Sequence, residues 1–176
     1  MWDDQGRLLR THRSELSQLN AYLDDYAFFV DGLLALYDVT GSGEWLAPAR
    51  QLTDDQIEFF WDEDVGAFFF TSDQHEQLLA RTKNAYDSVL PSGNSVSVRN
   101  LVRLARHVGE PSYAERARET LQVFAPQLKQ QPAGMTFLAG TCGAWGLALA
   151  RFMFPNILTE PPSRFKIGFP DGFAPD

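Results

Sequence analysis

The chain has 176 residues, 44% apolar and 13% aromatic, which is enough to bury a core and rules out a disordered polypeptide. Its formal charge of −8, with no basic run to offset it, excludes nucleic acid and anionic membrane surfaces as partners. A lone cysteine, Cys142, excludes an intrachain disulfide, and no CxxC or Cys/His spacing suggests zinc.

The first twenty residues are polar and read as a loosely structured lead-in, with acids where a signal peptide would need an apolar core. "LDDYAFFVDGLLALYDVTG" then carries Tyr26, Phe29, Val30, Leu33, Leu34, Leu36 and Tyr37 at helical spacing. Only Asp31 and Gly32 interrupt its interior, so burial on more than one face is expected. Asp24 and Asp25 fall in the first turn, and Gly41 closes the helix. "EWLAPARQLTDDQIEFFW" has one apolar stripe and a charged face, as an outer helix would, with Pro48 expected in its first turn.

"DEDVGAFFFTS" reads as a turn and a short strand at Phe68 to Phe70, with a second extended piece over Gln77 to Thr82 completing a small β-hairpin near residues 66–82. "SGNSVSVRNLVRLARHVGE" and "PSYAERARETLQVFAPQLKQQ" are the third and fourth helices, the latter started by Pro111 and Ser112. An apolar fifth helix is expected from about Met135 to Phe154. No stretch is long and apolar enough to span a bilayer, so a soluble cytoplasmic protein is expected. Residues 1–154 are read as one domain and 155–176, rich in proline and glycine, as an irregular tail.

The two helix pairs repeat. Leu33 and Leu101 are 68 residues apart, as are Leu36 and Leu104, Gly41 and Gly109, Ala49 and Ala117, and Arg50 and Arg118. Trp45 and Tyr113 are aromatic at that spacing too. An inner apolar helix, a glycine turn and an amphipathic outer helix form the unit, which implies a mainly all-α chain of stacked hairpins: a helical solenoid or part of an α/α toroid.

Three segments carry a resemblance: the L-D-D-Y-A start at Leu23 (within "YLDDYA"), the W-D-x-x-x-G-x-F-F-F-T run from Trp61, and the D-x-x-x-P-S-G-N run from Asp87. Over about Asp4 to Leu128 the chain resembles the YyaL-like, spermatogenesis-associated thioredoxin-domain protein family. That resemblance implies a toroid of six hairpins, similar to N-acylglucosamine 2-epimerases and six-hairpin glycosidases. This sequence differs in holding two or three hairpins and no thioredoxin-like segment, so a homo-oligomer or a missing portion of the toroid is the expected partner.

Candidate ligand-binding residues follow from position. Asp24, Asp25 and Tyr26 open an inner helix, where carboxylates serve either a hydroxyl-bearing ligand as acid, base or acceptor, or the helix end as cap and dipole partner. Arg81, Lys83 and Asp87 are charges in an extended run beside "FFFT": either walls of a polar pocket roofed by aromatics or a solvated loop. Asn94 and Ser92 belong to a Pro-Ser-Gly-Asn turn that can cap the third helix, and no serine triad is completed. His12, His75 and His107 do not fall where an epimerase-type proton transfer would need them, and Asp62, Glu63 and Asp64 lack calcium-loop spacing. No catalytic residue, metal or cofactor is assigned, and enzymatic activity stays open. Two functions remain: a non-catalytic helical module that self-associates or completes a larger protein, and a carbohydrate-active domain binding a sugar-like molecule in the toroid cavity.

Overall fold

The structure is a computed structural model that describes residues 7–13, 16–73 and 80–144. Two compact units divide the chain, Met1–Thr141 and Cys142–Asp176, and apart from the last three helical residues, 142–144, everything below concerns the first. The expected tail over 155–176, the helix beyond residue 144, His75 and the side chains of His12 and Cys142 lie outside the described residues.

The first unit is mainly helical. Helix α1 covers Leu23–Thr40, α2 Gly43–Phe60, α3 Gly93–Val108 and α4 Pro111–Gln130; a 3-10 turn at Pro132–Gly134 leads into α5, Thr136–Ala144. Helix α1 packs against both α2 and α3, and α3 packs against α4. Val30, Leu34, Ala49, Leu52, Phe60, Val98, Leu101, Leu104 and Leu121 are buried in these helices, and buried Gln56 of α2 donates to Ser97 of α3 at 2.9 Å.

The repeat is written in the backbone as well as in the sequence. Gly41 and Gly109 both end an inner helix in the left-handed region, at φ 65° and 70°, each N–H bonded to the carbonyl four residues back. A side chain there would be strained, which is why glycine stands at both. The outer helices start 68 residues apart, at Gly43 and Pro111, and their Ala49 and Ala117 are both buried where outer meets inner helix. Trp45 and Tyr113 differ, because Tyr113 is buried with its hydroxyl donated to Asp54 at 2.5 Å while Trp45 is only half-buried. Pro48 falls on the sixth residue of α2 rather than in its first turn, so α2 forgoes one interior hydrogen bond.

Two local expectations need revision. The lead-in is a β-hairpin: β1, Leu9–Arg13, pairs antiparallel with β2, Leu16–Asn20, in the register Leu9 to Asn20 and Arg13 to Leu16. It is tied down by buried Leu8 and Leu9, by the Ala21 N–H on the Leu8 carbonyl and by the Leu8 N–H on the Tyr26 hydroxyl. Over residues 66–82 the aromatic run is extended, but its one β-bridge, Trp61 to Phe68, goes back to the end of α2. The Phe69 N–H also bonds to the Phe60 carbonyl, and Phe70 meets the expected second piece once, at the Thr82 carbonyl. No described residue of 66–82 belongs to a named strand, and 74–79 lie outside the description.

Candidate functional site

The N-terminal ends of α1 and α3 meet the loop of residues 80–92 around a cavity of about 270 Å³, lined by Leu23, Asp24, Phe70, Tyr86, Leu90 and Gly93 among others. Each helix end is finished by a carboxylate. At α1 the Tyr22 N–H donates to Asp25 at 2.9 Å, one half of a capping box, and Arg10 lies 3.9 Å from the same carboxylate. Asp24 reaches across instead and accepts the backbone N–H of Gly93, at the first turn of α3. Burial pushes its carboxyl above the usual range, and the neighbouring Asp25 charge adds to this against the Gly93 bond. The approach is so close that a Cβ at Gly93 would collide with the Asp24 carboxylate and the Leu23 side chain.

Asp87 completes the pattern. One oxygen accepts the Ser92 N–H at 3.2 Å; the other accepts the Phe137 N–H at 2.8 Å and the Thr136 hydroxyl at 3.2 Å. Its own N–H donates to the Gly134 carbonyl. One side chain therefore caps α5 and fixes the residue that caps α3, Ser92, whose hydroxyl accepts the Ser95 N–H.

Asn94 is buried and spent on backbone. Its carbonyl oxygen accepts the Phe68 N–H at 2.9 Å, while its amide donates to the Phe68 and Asn84 carbonyls at 2.9 and 3.0 Å. An asparagine is the residue this needs, since it offers donor and acceptor together to one peptide unit. Lys83 donates to the Gly66 carbonyl and to Asp62, both at 2.6 Å, closing the turn before the aromatic run. The Lys83 hydrogen bond holds the Asp62 carboxyl below the usual range, helped by the N–H groups of Asp64 and Val65. Arg81 donates to the carbonyls of Thr71 and Phe59 and lies 4.2 Å over the Phe69 ring.

Of the seven residues singled out from the sequence, Asp24 and Asn94 line the cavity, whereas Asp25, Tyr26, Arg81, Lys83 and Asp87 do not. Asn84, Tyr86 and Leu90 do line it and were not foreseen; exposed Val89 and Leu90, in an otherwise polar loop, were the available signal. An ion ladder between α1 and α3 was missed as well. Asp31 pairs with Arg99 and Arg103, and Asp38 with Arg103 at 2.7 Å and His107 at 3.0 Å. Asp31 and Arg99 stand 68 residues apart, at equivalent positions of the two hairpins.

No described helix is long and apolar enough to cross a membrane. No family model matches the chain. It is 34% identical over 124 residues to spermatogenesis-associated protein 20 of Mus musculus, covering 70% of this chain and 16% of that protein. The Homo sapiens protein of the same name is 35% identical over 115 residues, 65% of this chain and 15% of the relative. An uncharacterised protein of Caenorhabditis elegans is 27% identical over 180 residues, 95% of this chain and 24% of its own length. The chain is thus related to spermatogenesis-associated protein 20 through a segment spanning 16% of the mouse protein's length, in agreement with the family that its motifs resemble.

Proposed function

We propose that this chain is a helical-hairpin module of the α/α-toroid kind, without catalysis of its own, whose task is to pack against further helices. One observation carries the reading: the polar residues of its most distinctive run are committed to holding elements together. Arg81 and Lys83 bind carbonyls at the end of α2 and the turn after it, Asp87 caps α5, and Asn94 clamps Phe68. A catalytic or sugar-binding group needs donors and acceptors left over for its ligand, and these side chains already hold backbone groups, with Lys83 also on Asp62 and Asp87 also on the Thr136 hydroxyl. The repeated pairing of inner α1 and α3 with outer α2 and α4 supports the toroid-type arrangement.

A carbohydrate-like ligand is the second reading, and Asp24 favours it. Among the described residues lining the cavity, Asp24 is the charged one, and Phe70 and Tyr86 offer aromatic faces beside it. Thermal denaturation with a panel of neutral sugars separates the two. A sugar present at about a hundred times its Kd adds about 2.7 kcal/mol, roughly 5–10 °C in Tm for a protein of this size. No shift is expected. A shift that disappears in Asp24→Ala would replace the module reading with the carbohydrate one.

A further inference from the structure

The cavity between the ends of α1 and α3 has a lining that suits one kind of ligand. Its polar side chains are mostly engaged: the Asn84 amide bonds the Tyr86 N–H and carbonyl, Ser92 accepts the Ser95 N–H, and Asn94 clamps Phe68. A neutral sugar, with a hydroxyl on nearly every carbon, finds few partners there. What the lining keeps is Asp24, its one charged residue, set among Leu23, Phe70, Tyr86, Val89 and Leu90. Asp24 accepts the Gly93 N–H, but a carboxylate has about four lone-pair sites, so that bond leaves it able to accept more. Arg10 is engaged by Asp25 at 3.9 Å and by the Tyr22 ring; it lies outside the lining, and of the influences on the Asp24 carboxyl its charge is the weakest. Val89 and Leu90 are 98% and 62% exposed, an apolar rim open to solvent.

We propose that this cavity binds a small arylalkyl amine, its ammonium on the Asp24 carboxylate and its apolar body against the Phe70 and Tyr86 rings and the Leu90 rim. The proposal goes beyond the module reading and does not depend on it. Charge sets the sign of the ligand: an anion meets a carboxylate and a chain carrying −8, whereas a cation is drawn to both. A half-buried carboxylate without a counter-charge is unfavourable, and a charge-assisted N–H···O bond from an ammonium relieves that. Aromatic faces attract a cation as well and pack against a ring. A metal ion needs more oxygen ligands than one carboxylate brings, and no group of three metal-binding side chains occurs among the described residues. Size sets the rest. An apolar cavity of about 150 Å³ holds benzene, so one of about 270 Å³ takes a single ring with a short amine arm.

Residue-resolved NMR of the whole chain, titrated with phenethylamine to about 10 mM at neutral pH, where an alkylamine is protonated, reads this directly. The Leu23, Tyr86 and Gly93 amides should shift saturably, with a dissociation constant of about 0.1–1 mM, as one charged hydrogen bond and a small apolar contact allow. Phenethyl alcohol, the same ring and arm without the charge, should bind about 10-fold more weakly or less. Asp24→Asn is the decisive variant. Its side-chain oxygen still accepts the Gly93 N–H, so the two helix ends keep their bond, while the lost charge should weaken amine binding about 10-fold or more. The comparison of amine with alcohol is made in the unaltered chain, so it stands whether or not the variant folds. No saturable shift with the amine, an alcohol that binds as well, or a folded Asp24→Asn chain that binds like the wild type overturns the site. Each of these results leaves the packing role of the module as it was.

Discussion

Replacing Asn94 by alanine removes three hydrogen bonds to backbone at one stroke, and the cost follows from where those partners lie. Phe68 is fully buried, so its N–H and carbonyl lose their Asn94 partners and find no water. Each buried group left unpaired costs about 1–3 kcal/mol. The Asn84 carbonyl belongs to an exposed residue and can turn to solvent, which adds under about 1 kcal/mol. Alanine returns a few tenths of a kcal/mol in helix propensity within α3. The net loss is about 2–6 kcal/mol, a large share of the roughly 5–15 kcal/mol that holds a domain folded. Urea denaturation followed by helical circular dichroism should show a lower midpoint at unchanged slope, and Tm should fall by roughly 10 °C. Asn94→Asp keeps the acceptor for the Phe68 N–H but turns a carboxylate toward two carbonyls, so it should be at least as damaging. A loss below about 1 kcal/mol in Asn94→Ala would refute the clamp, because it would mean that Phe68 does not depend on Asn94.

Other expectations concern the caps and the turn. Asp87→Ala should cost about 1–2 kcal/mol and speed amide exchange at Phe137 and Ser92, the two N–H groups it holds. Gly93→Ala should destabilise by about 1–3 kcal/mol in urea, since the new Cβ has the Asp24 carboxylate and Leu23 in its way. Lys83→Met should change the acid limb of the stability curve. The folded Asp62 carboxyl titrates below its ordinary 3.8, so it contributes stability above that pH and loses it as pH falls through the folded value. Without Lys83 that contribution shrinks, and stability should fall less steeply below about pH 4. Asp24 has the opposite sign. Its carboxyl is raised by burial, so the folded state takes up the proton first and gains stability as pH falls. Asp24→Asn should remove that gain, a difference measurable by urea midpoints at pH 7 and pH 4.

Features carried by local chemistry were legible in the sequence, and features carried by distant partners were not. Gly41 and Gly109 announced their helix ends because only glycine rests easily at positive φ. Ser92 and Pro111 announced two helix starts for equally local reasons. The 68-residue repeat foresaw the paired hairpins, because burial imposes one apolar pattern on both inner helices. The β1–β2 hairpin escaped notice, since "LRTHR" and "LSQLN" show too little alternation and too few β-branched residues to suggest strands. The charged run from Arg81 to Asp87 was read as a pocket wall or a solvated loop. Its partners, Phe59, Asp62 and Phe137, sit up to 50 residues away, and no periodicity encodes such pairings. Asp24 held both of its suggested roles in view: it finishes a helix end, that of α3 rather than its own, and it lines the cavity.

The central proposal is that the polar residues around the α1 and α3 ends serve the fold rather than a sugar ligand. Residue-resolved NMR of the whole chain, titrated with mono- and disaccharides to tens of millimolar, reaches dissociation constants weaker than about 1 mM and tests that claim at the cavity itself. The amides of Leu23, Tyr86, Leu90 and Gly93, which line the cavity, are expected to stay where they are. Saturable shifts confined to those amides, and lost in Asp24→Ala, would contradict the account and make the cavity a sugar site.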